Sequence, residues 1–230
     1  EPSLIDNGLT QFEKNSHLYQ GYGKEMPDGF DFEVFSFSAL ERAYQNARED
    51  FEREHVTPYI WRRPREFPSG SFHEPGLDAG IRLSVDYQRD LELVEMIFAE
   101  QERRGAMMHA RDIHHFLKEN NLHRYNSEIV NNEGLILSSL ASDQFRIPKN
   151  GKTIPRFGLT GKDLSTELIE WAKRMGIEEI HNGTPPPSGW AVVSAADAKR
   201  GKVPSGGVLV ITSSLSELAE ALLAMIRSAP

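Results

Sequence analysis

Acidic side chains gather in two places where they could do chemistry. Asp28, Asp31 and Glu33 crowd around the turn Pro27-Asp28-Gly29, and Asp86 closes the run Ile81-Arg82-Leu83-Ser84-Val85-Asp86. A carboxylate such as Asp86 suits Mg²⁺ beside a nucleotide, because magnesium takes one or two protein carboxylates and completes its shell with phosphate oxygens. The same residue could instead cap the helix that follows, and the three acids behind the turn could form a solvated loop rim. Spacing alone leaves both pairs of readings open. His109, His114 and His115 invite a metal-site reading that their geometry disfavours, since adjacent histidines on a helix point in different directions.

The elements that must carry these groups can be read from periodicity. In Pro27-Asp28-Gly29 proline presets φ and glycine tolerates positive φ, which marks a turn. Residues 30–37 alternate, Phe30, Phe32 and Val34 on one side and Asp31, Glu33, Phe35 and Phe37 on the other, as in a strand. Ser38-Ala39-Leu40-Glu41 has the spacing of a capping box, and Leu40, Ala43, Tyr44, Ala47 and Phe51 repeat at helical intervals, so one helix of four turns is expected from Ser38 to Glu54. Ile81 to Asp86 alternates like a strand that delivers Asp86 to its carboxyl end. In open α/β sheets ligands collect at that edge. Leu91, Val94, Ile97 and Phe98 then line one side of a helix.

The composition limits what this chemistry can serve. The chain has 230 residues, enough for a sizeable core, and a formal charge of −8 from 34 acids against 26 bases, which argues against nucleic acid as a partner. It has no cysteine, so disulfides and thiolate metal sites are excluded and a cytoplasmic setting fits best. No apolar run is long enough to span a membrane, and the first residues do not have the pattern of a signal peptide. Without an initiator methionine, the sequence reads as starting inside a longer protein.

Four segments in order resemble a known family. Pro27-Asp28-Gly29-Phe30-Asp31-Phe32-Glu33-Val34-Phe35-Ser36, Glu54-His55-Val56-Thr57-Pro58-Tyr59-Ile60, Arg82-Leu83-Ser84-Val85-Asp86 with Asp90-Leu91-Glu92-Leu93-Val94, and Asn126 through Glu133-Gly134 are similar to the later two-thirds of spore-coat-polysaccharide-type cytidylyltransferases, relatives of the CMP-sialic acid and CMP-Kdo synthetases. The resemblance covers residues 1–143. It implies a Rossmann-like α/β nucleotidyltransferase fold, Mg²⁺ as cofactor, CTP as donor, an acidic or phosphorylated sugar-like acceptor, and a homodimer formed through the helix from Ser38 to Glu54. It further implies that Asp86 is the second metal-binding aspartate and that Asp28, Gly29, Asp31 and Glu33 line the acceptor pocket, with His55 and Arg82 as acceptor-side candidates. The family's opening strand, its Gly-rich phosphate loop and its cytosine-reading residues have no counterpart. Glu1-Pro2 resembles the continuation of the family's Gly-Asp-x-Pro motif, whose aspartate would fall just before Glu1. The expectation is therefore a partial nucleotidyltransferase domain, inactive as this chain alone. The alternative is a non-catalytic module for dimerisation or ligand binding.

The rest of the chain reads as a second, smaller α/β domain. Glycine, proline and lysine over 144–162 suggest a linker, and neither Pro148-Lys149-Asn150-Gly151-Lys152 nor Gly158-Leu159-Thr160-Gly161-Lys162-Asp163 has the spacing of a phosphate-binding loop. Over 163–230 the expected order is a helix through Leu168 and Trp171 ending at Gly176, strands near Ile177–His181, Trp190–Val193 and Gly207–Thr212, and a helix capped by Ser214-Leu215-Ser216-Glu217. Thr212-Ser213-Ser214 reads as capping rather than as an anion site.

Overall fold

The computed structural model describes residues 1–22, 26–72, 74, 76–149, 152–184, 190–200, 207–212 and 214–228. The chain is α/β. Its helices are α1 Pro2–Lys14, α2 Phe37–Asn46, α3 Asp50–Glu54, α4 Pro58–Trp61, α5 Gln88–Arg104, α6 Ala110–Glu119, α7 Glu133–Ala141, α8 Thr166–Arg174, α9 Ala195–Lys199 and α10 Leu215–Ser228. Its strands are β1 Tyr19–Tyr22, β2 Val34–Phe35, β3 Ser69–Phe72, β4 Arg146–Lys149, β5 Lys152–Pro155, β6 Phe157–Gly161, β7 Ile180–Asn182, β8 Trp190–Ser194 and β9 Gly207–Ile211. No helix among the described residues is long and apolar enough to cross a membrane.

Two compact units share the chain, and they interleave. The first comprises Glu1–Arg42 and Arg63–Asn131, the second Ala43–Arg62 and Asn132–Pro230. This differs from the expected division into 1–143, a linker over 144–162, and 163–230. The stretch expected as a linker is ordered sheet: β4 and β5 pair antiparallel, and β6 is a strand of the parallel sheet, with Phe157 and Leu159 fully buried. Its glycines serve close packing. A Cβ at Gly158 would lie 2.5 Å from Leu209 and 2.6 Å from the Glu179 carbonyl oxygen.

In the first unit β1 is the middle strand of three, antiparallel to β2 and parallel to β3. The strand expected over 30–37 shrinks to Val34–Phe35, because the residues before it are used otherwise. Phe30 N–H donates to the Pro27 carbonyl, and the Phe32 ring stacks on Phe72 at 4.3 Å. Phe30 and Phe32 both pack on a core of Leu4, Met26, Phe72, Leu77 and Ala110. Likewise Ile81–Asp86 forms no strand. Its one ladder contact is the isolated bridge between Arg82 and Asp28. Behind that bridge α5 and α6 bury Ile81, Leu93, Ile97 and Leu117 as a second core.

The single helix expected from Ser38 to Glu54 is two. Ser36, not Ser38, opens α2, its hydroxyl accepting Ala39 N–H at 3.2 Å. Between α2 and α3, Glu49 is extended, and the carbonyls left open at Gln45 and Ala47 accept from the Arg48 and Arg53 guanidiniums.

The second unit is built on four parallel strands in the order β7-β6-β9-β8, with α8 joining β6 to β7 and α9 joining β8 to β9. These βαβ crossovers give the Rossmann-like layering. Val208, Leu209 and Val210 are fully buried, as the apolar run at 207–212 predicts. Ser165 caps α8 and Ser214 caps α10 through their hydroxyls, and Gly176 follows α8 at φ 70°. Of Thr212-Ser213-Ser214, Ser213 lies outside the described residues; the Thr212 hydroxyl donates to Glu217 at 2.9 Å, in keeping with capping.

The second unit also buries an ion pair. Arg62 reaches Glu52 at 3.4 Å with both side chains at most 2% exposed, and its guanidinium lies over Phe51 and Phe145. Glu52→Ala takes the carboxylate away from a buried cation, so it is expected to cost about 3 kcal/mol or more in urea unfolding, whereas Glu52→Leu combined with Arg62→Met recovers most of that loss. Equal stability of the single and double variants would show that the pairing contributes nothing.

Candidate functional site

The turn at Pro27–Phe30 needs glycine for two reasons. Gly29 has φ 101°, and a Cβ there would lie 2.6 Å from the Leu83 carbonyl carbon. Its N–H donates to Asp31 Oδ1 at 2.7 Å, which fixes the turn and turns the Asp31 carboxylate back over it. This close approach lets Leu83 N–H reach the Asp28 carbonyl at 2.6 Å. The side chains of Asp28, Arg82 and Ser84 are thereby brought together from 54 and 56 residues apart.

Arg82 is the centre. It is 5% exposed, and its Nε and Nη2 hold both oxygens of Asp90, each at 3.1 Å. Nη1 donates to Asp28 Oδ2 at 3.0 Å and to Asn131 Oδ1 at 3.3 Å, and Nη2 also donates to Asp86 Oδ2 at 2.5 Å. One fixed guanidinium fork thus serves three carboxylates. The three carboxylates differ in their surroundings. Asp90 is buried and saturated: besides Arg82 it accepts from Asn126 Nδ2 at 2.6 Å and from the amides of Asp86 and Tyr87, each at 3.0 Å. Asp28 is mostly covered and accepts from the Ser84 hydroxyl at 2.6 Å. Asp86 is held through one oxygen, and its side chain is 65% exposed.

These surroundings push the acids apart. Burial raises the Asp90 carboxyl, but Arg82, the two amides and Asn126 together outweigh it and hold the group below its usual range. Asp28 shifts the other way: burial is the largest cause, and the neighbouring Asp31 and Asp86 carboxylates add to it against the pull of Ser84 and Arg82. Arg82 is itself raised, its burial overcome by Asp90, Asp86 and Asp28. With three carboxylates to one guanidinium, the cluster keeps surplus negative charge beside the exposed Asp86.

Among the described residues no group of three or more His, Asp or Glu side chains is arranged to hold a metal ion. Asp86 has one carboxylate oxygen on Arg82, and its side chain is otherwise open to solvent. It does not cap α5: that helix opens at Tyr87, whose amide is held by Asp90.

Of the residues singled out in sequence, Asp28, Gly29, Arg82 and Asp86 come together, with Asp31 across the turn. Glu33 is turned to another task, accepting from the Tyr19 hydroxyl. His55 belongs to the second unit, where its Nε2 lies 2.9 Å from the Ser138 hydroxyl. That hydroxyl donates to the Gly134 carbonyl, so His55 Nε2 carries the proton and the contact ties Val56, at φ 66°, to α7. Four partners of the cluster, Asp90, Ser84, Asn126 and Asn131, were not singled out in sequence. Asp90 had a legible signal: it lies three and seven positions before the buried Leu93 and Ile97, so its face of α5 is apolar and an acid there needs a cation.

No family model matches the chain. An uncharacterized protein of Methanocaldococcus jannaschii, MJ1063, is 40% identical over 92 residues, which is 39% of this chain and 37% of that protein. The chain therefore spans well under half the length of this relative. Among solved structures, a cytidylyltransferase from Leptospira borgpetersenii serovar Hardjo-bovis (strain JB197) aligns over 54% of this chain and 53% of its own, at 21% identity and a TM-score of 0.47.

Opposite shifts give opposite expectations for stability. Asp90, with its folded value depressed, stabilises above the ordinary carboxylate range, and that contribution is lost as pH falls through its folded value. Asp90→Asn is therefore expected to cost about 3 kcal/mol at pH 7 and to flatten the acid limb of a stability profile. Asp28, with its folded value raised, stabilises below the ordinary range, and that contribution is lost as pH rises through its folded value. Asp28→Asn, which cannot ionise, should unfold at an equal or higher temperature at pH 7. A large loss of stability in Asp28→Asn with none in Asp90→Asn would reverse this account.

Proposed function

We propose that this chain is the acceptor-side portion of a cytidylyltransferase of the spore-coat-polysaccharide type, transferring CMP from CTP to an acidic or phosphorylated sugar-like acceptor. One observation carries the proposal: the turn at Asp28 and the run ending in Asp86, two separate motifs of the resemblance, meet on a single guanidinium. Magnesium held by Asp86 and phosphate oxygens would supply charge neutralisation at the α-phosphorus. Arg82 keeps the Asp86 carboxylate facing solvent at a fixed place, and Asp90 keeps Arg82 there. Where the attacking group is a hydroxyl, its oxygen bonds to the α-phosphorus, the bond to the bridging oxygen breaks, and pyrophosphate leaves. Asp28, its proton affinity raised by burial and by like charge, would take the hydroxyl proton.

The homodimer belongs to the same proposal. On α2, Phe37 and Tyr44 are 78% and 75% exposed and share a face with Leu40 at positions i, i+3 and i+7, while Ala39 and Ala43 are buried on the other side. A second copy of the chain is the occupant we assign to this stripe, in a cysteine-free protein suited to the cytoplasm. A non-catalytic module that keeps the acceptor side and this face is the second reading. It is favoured by the finding that no cluster among the described residues is arranged to hold a metal ion.

Pyrophosphate release from CTP, Mg²⁺ and a panel of sugar acids, measured in the full-length protein, tests the enzyme reading. Asp86→Asn is expected to lower turnover about a hundredfold. Unchanged turnover in that variant removes Asp86 from the mechanism, and sugar-acid binding without any release selects the module. In light scattering, Phe37→Glu with Tyr44→Glu should convert a dimer to a monomer; an unchanged mass would place the interface elsewhere.

A further inference from the structure

Gln20 is among the buried polar side chains without a hydrogen-bond partner among the described residues, and both ends of its amide are in that state. It sits on β1, the middle strand of its sheet, 1% exposed, and among the described residues neither its Oε1 nor its Nε2 has a hydrogen-bond partner. Its direct neighbours across the sheet are Val34 on β2 and Gly70 on β3, and residues paired in this way project to one face. Gly70 has no side chain to place there. The His17 ring takes that space, so that a Cβ on Gly70 would overlap it. His17 Nδ1 is buried and also lacks a partner. Two donor hydrogens, an amide oxygen and an imidazole nitrogen therefore share one face of the sheet with nothing to bond to. A buried amide left in this state costs stability, and such groups persist where function requires them.

We propose that Gln20 and His17 form a binding site for the hydroxyl groups of a sugar-like molecule. The chemistry selects the ligand. A carboxylate or phosphate only accepts and would set its oxygens against Gln20 Oε1; an ammonium only donates and would leave Nε2 unmet. Each hydroxyl both donates and accepts, so neighbouring hydroxyls satisfy both ends of the amide and the imidazole nitrogen together. Access needs one side chain to move. His17 stands partly exposed before β1, and the proposed route to the amide is its ring moving off Gly70. The inference rests on the acceptor reading above for one point only, that the bound sugar is the acceptor.

The test is thermal unfolding of the wild-type chain, Gln20→Leu and His17→Phe, each with and without a neutral hexose, an N-acetylhexosamine or a sugar acid, in the absence of CTP and Mg²⁺. Leaving those out separates this result from the fate of the transfer reaction. Without sugar, Gln20→Leu should melt above wild type, because an unmet amide has been removed. At least one sugar should raise the wild-type melting temperature, with its affinity falling about tenfold or more in Gln20→Leu and severalfold in His17→Phe, which keeps a ring over Gly70 but not its nitrogen. The proposal is overturned if no sugar shifts the wild type, if Gln20→Leu binds as well as wild type, or if that variant melts lower or fails to fold without sugar, the mark of an amide already satisfied by ordered water.

Discussion

The first unit depends on the burial of one ion pair. Asp90 and Arg82 are almost wholly removed from water, and a charge in that position is tolerable only if every lone pair and donor is met. Asp90 meets this condition with five donors from four residues, and Arg82 with four acceptor residues. Satisfying the pair fixes the chain around it. The start of α5 is held through the amides of Asp86 and Tyr87, the segment around Asn126 through its side chain, and the turn at Asp28 through the guanidinium. A segment with almost no sheet pairing of its own, 81–86, is thus placed as firmly as a strand would place it.

This arrangement explains why the site was only partly legible in the sequence. Pro27-Asp28-Gly29 announces its turn, because the φ of glycine and the ring of proline are local facts. In the second unit α8, β8, β9 and α10 were likewise visible, since capping serines, Gly176 and the run Gly207–Ile211 act over a few residues. Pairings at long range were not. Residues 30–37 have the alternation of a strand, yet the stacking of Phe32 on Phe72 and the turn at Pro27–Phe30 compete for the same residues and leave only Val34–Phe35 to pair. Asp31 and Glu33, expected on one surface, diverge because one closes its own turn and the other meets a tyrosine on β1.

The longest misreading, 144–162 as a linker, has a compositional cause. Glycine, proline and lysine there suggest a linker. Gly158 lies where β6 approaches β9 and the Glu179 backbone too closely for any side chain, and Lys149 pairs with Glu179. Glycine in a strand marks close approach as often as it marks freedom, and composition does not distinguish the two. Residues 150 and 151 lie outside the described residues.

Two carboxylates bound to a single guanidinium, which lowers both, shift in opposite directions because its donors are shared unequally against the cost of burial. Asp90 takes two of the fork's contacts in the bidentate geometry and adds amides and Asn126, so its anion gains more than burial removes. Asp28 takes one contact from the same cation, whose charge is already spread over Asp90 and Asp86, and faces Asp31 besides. Its anion gains less than it loses. The stability of the cluster is therefore set by one allocation: the acid nearest the core takes most of the positive charge, and Asp28, nearer the surface, keeps a raised carboxyl.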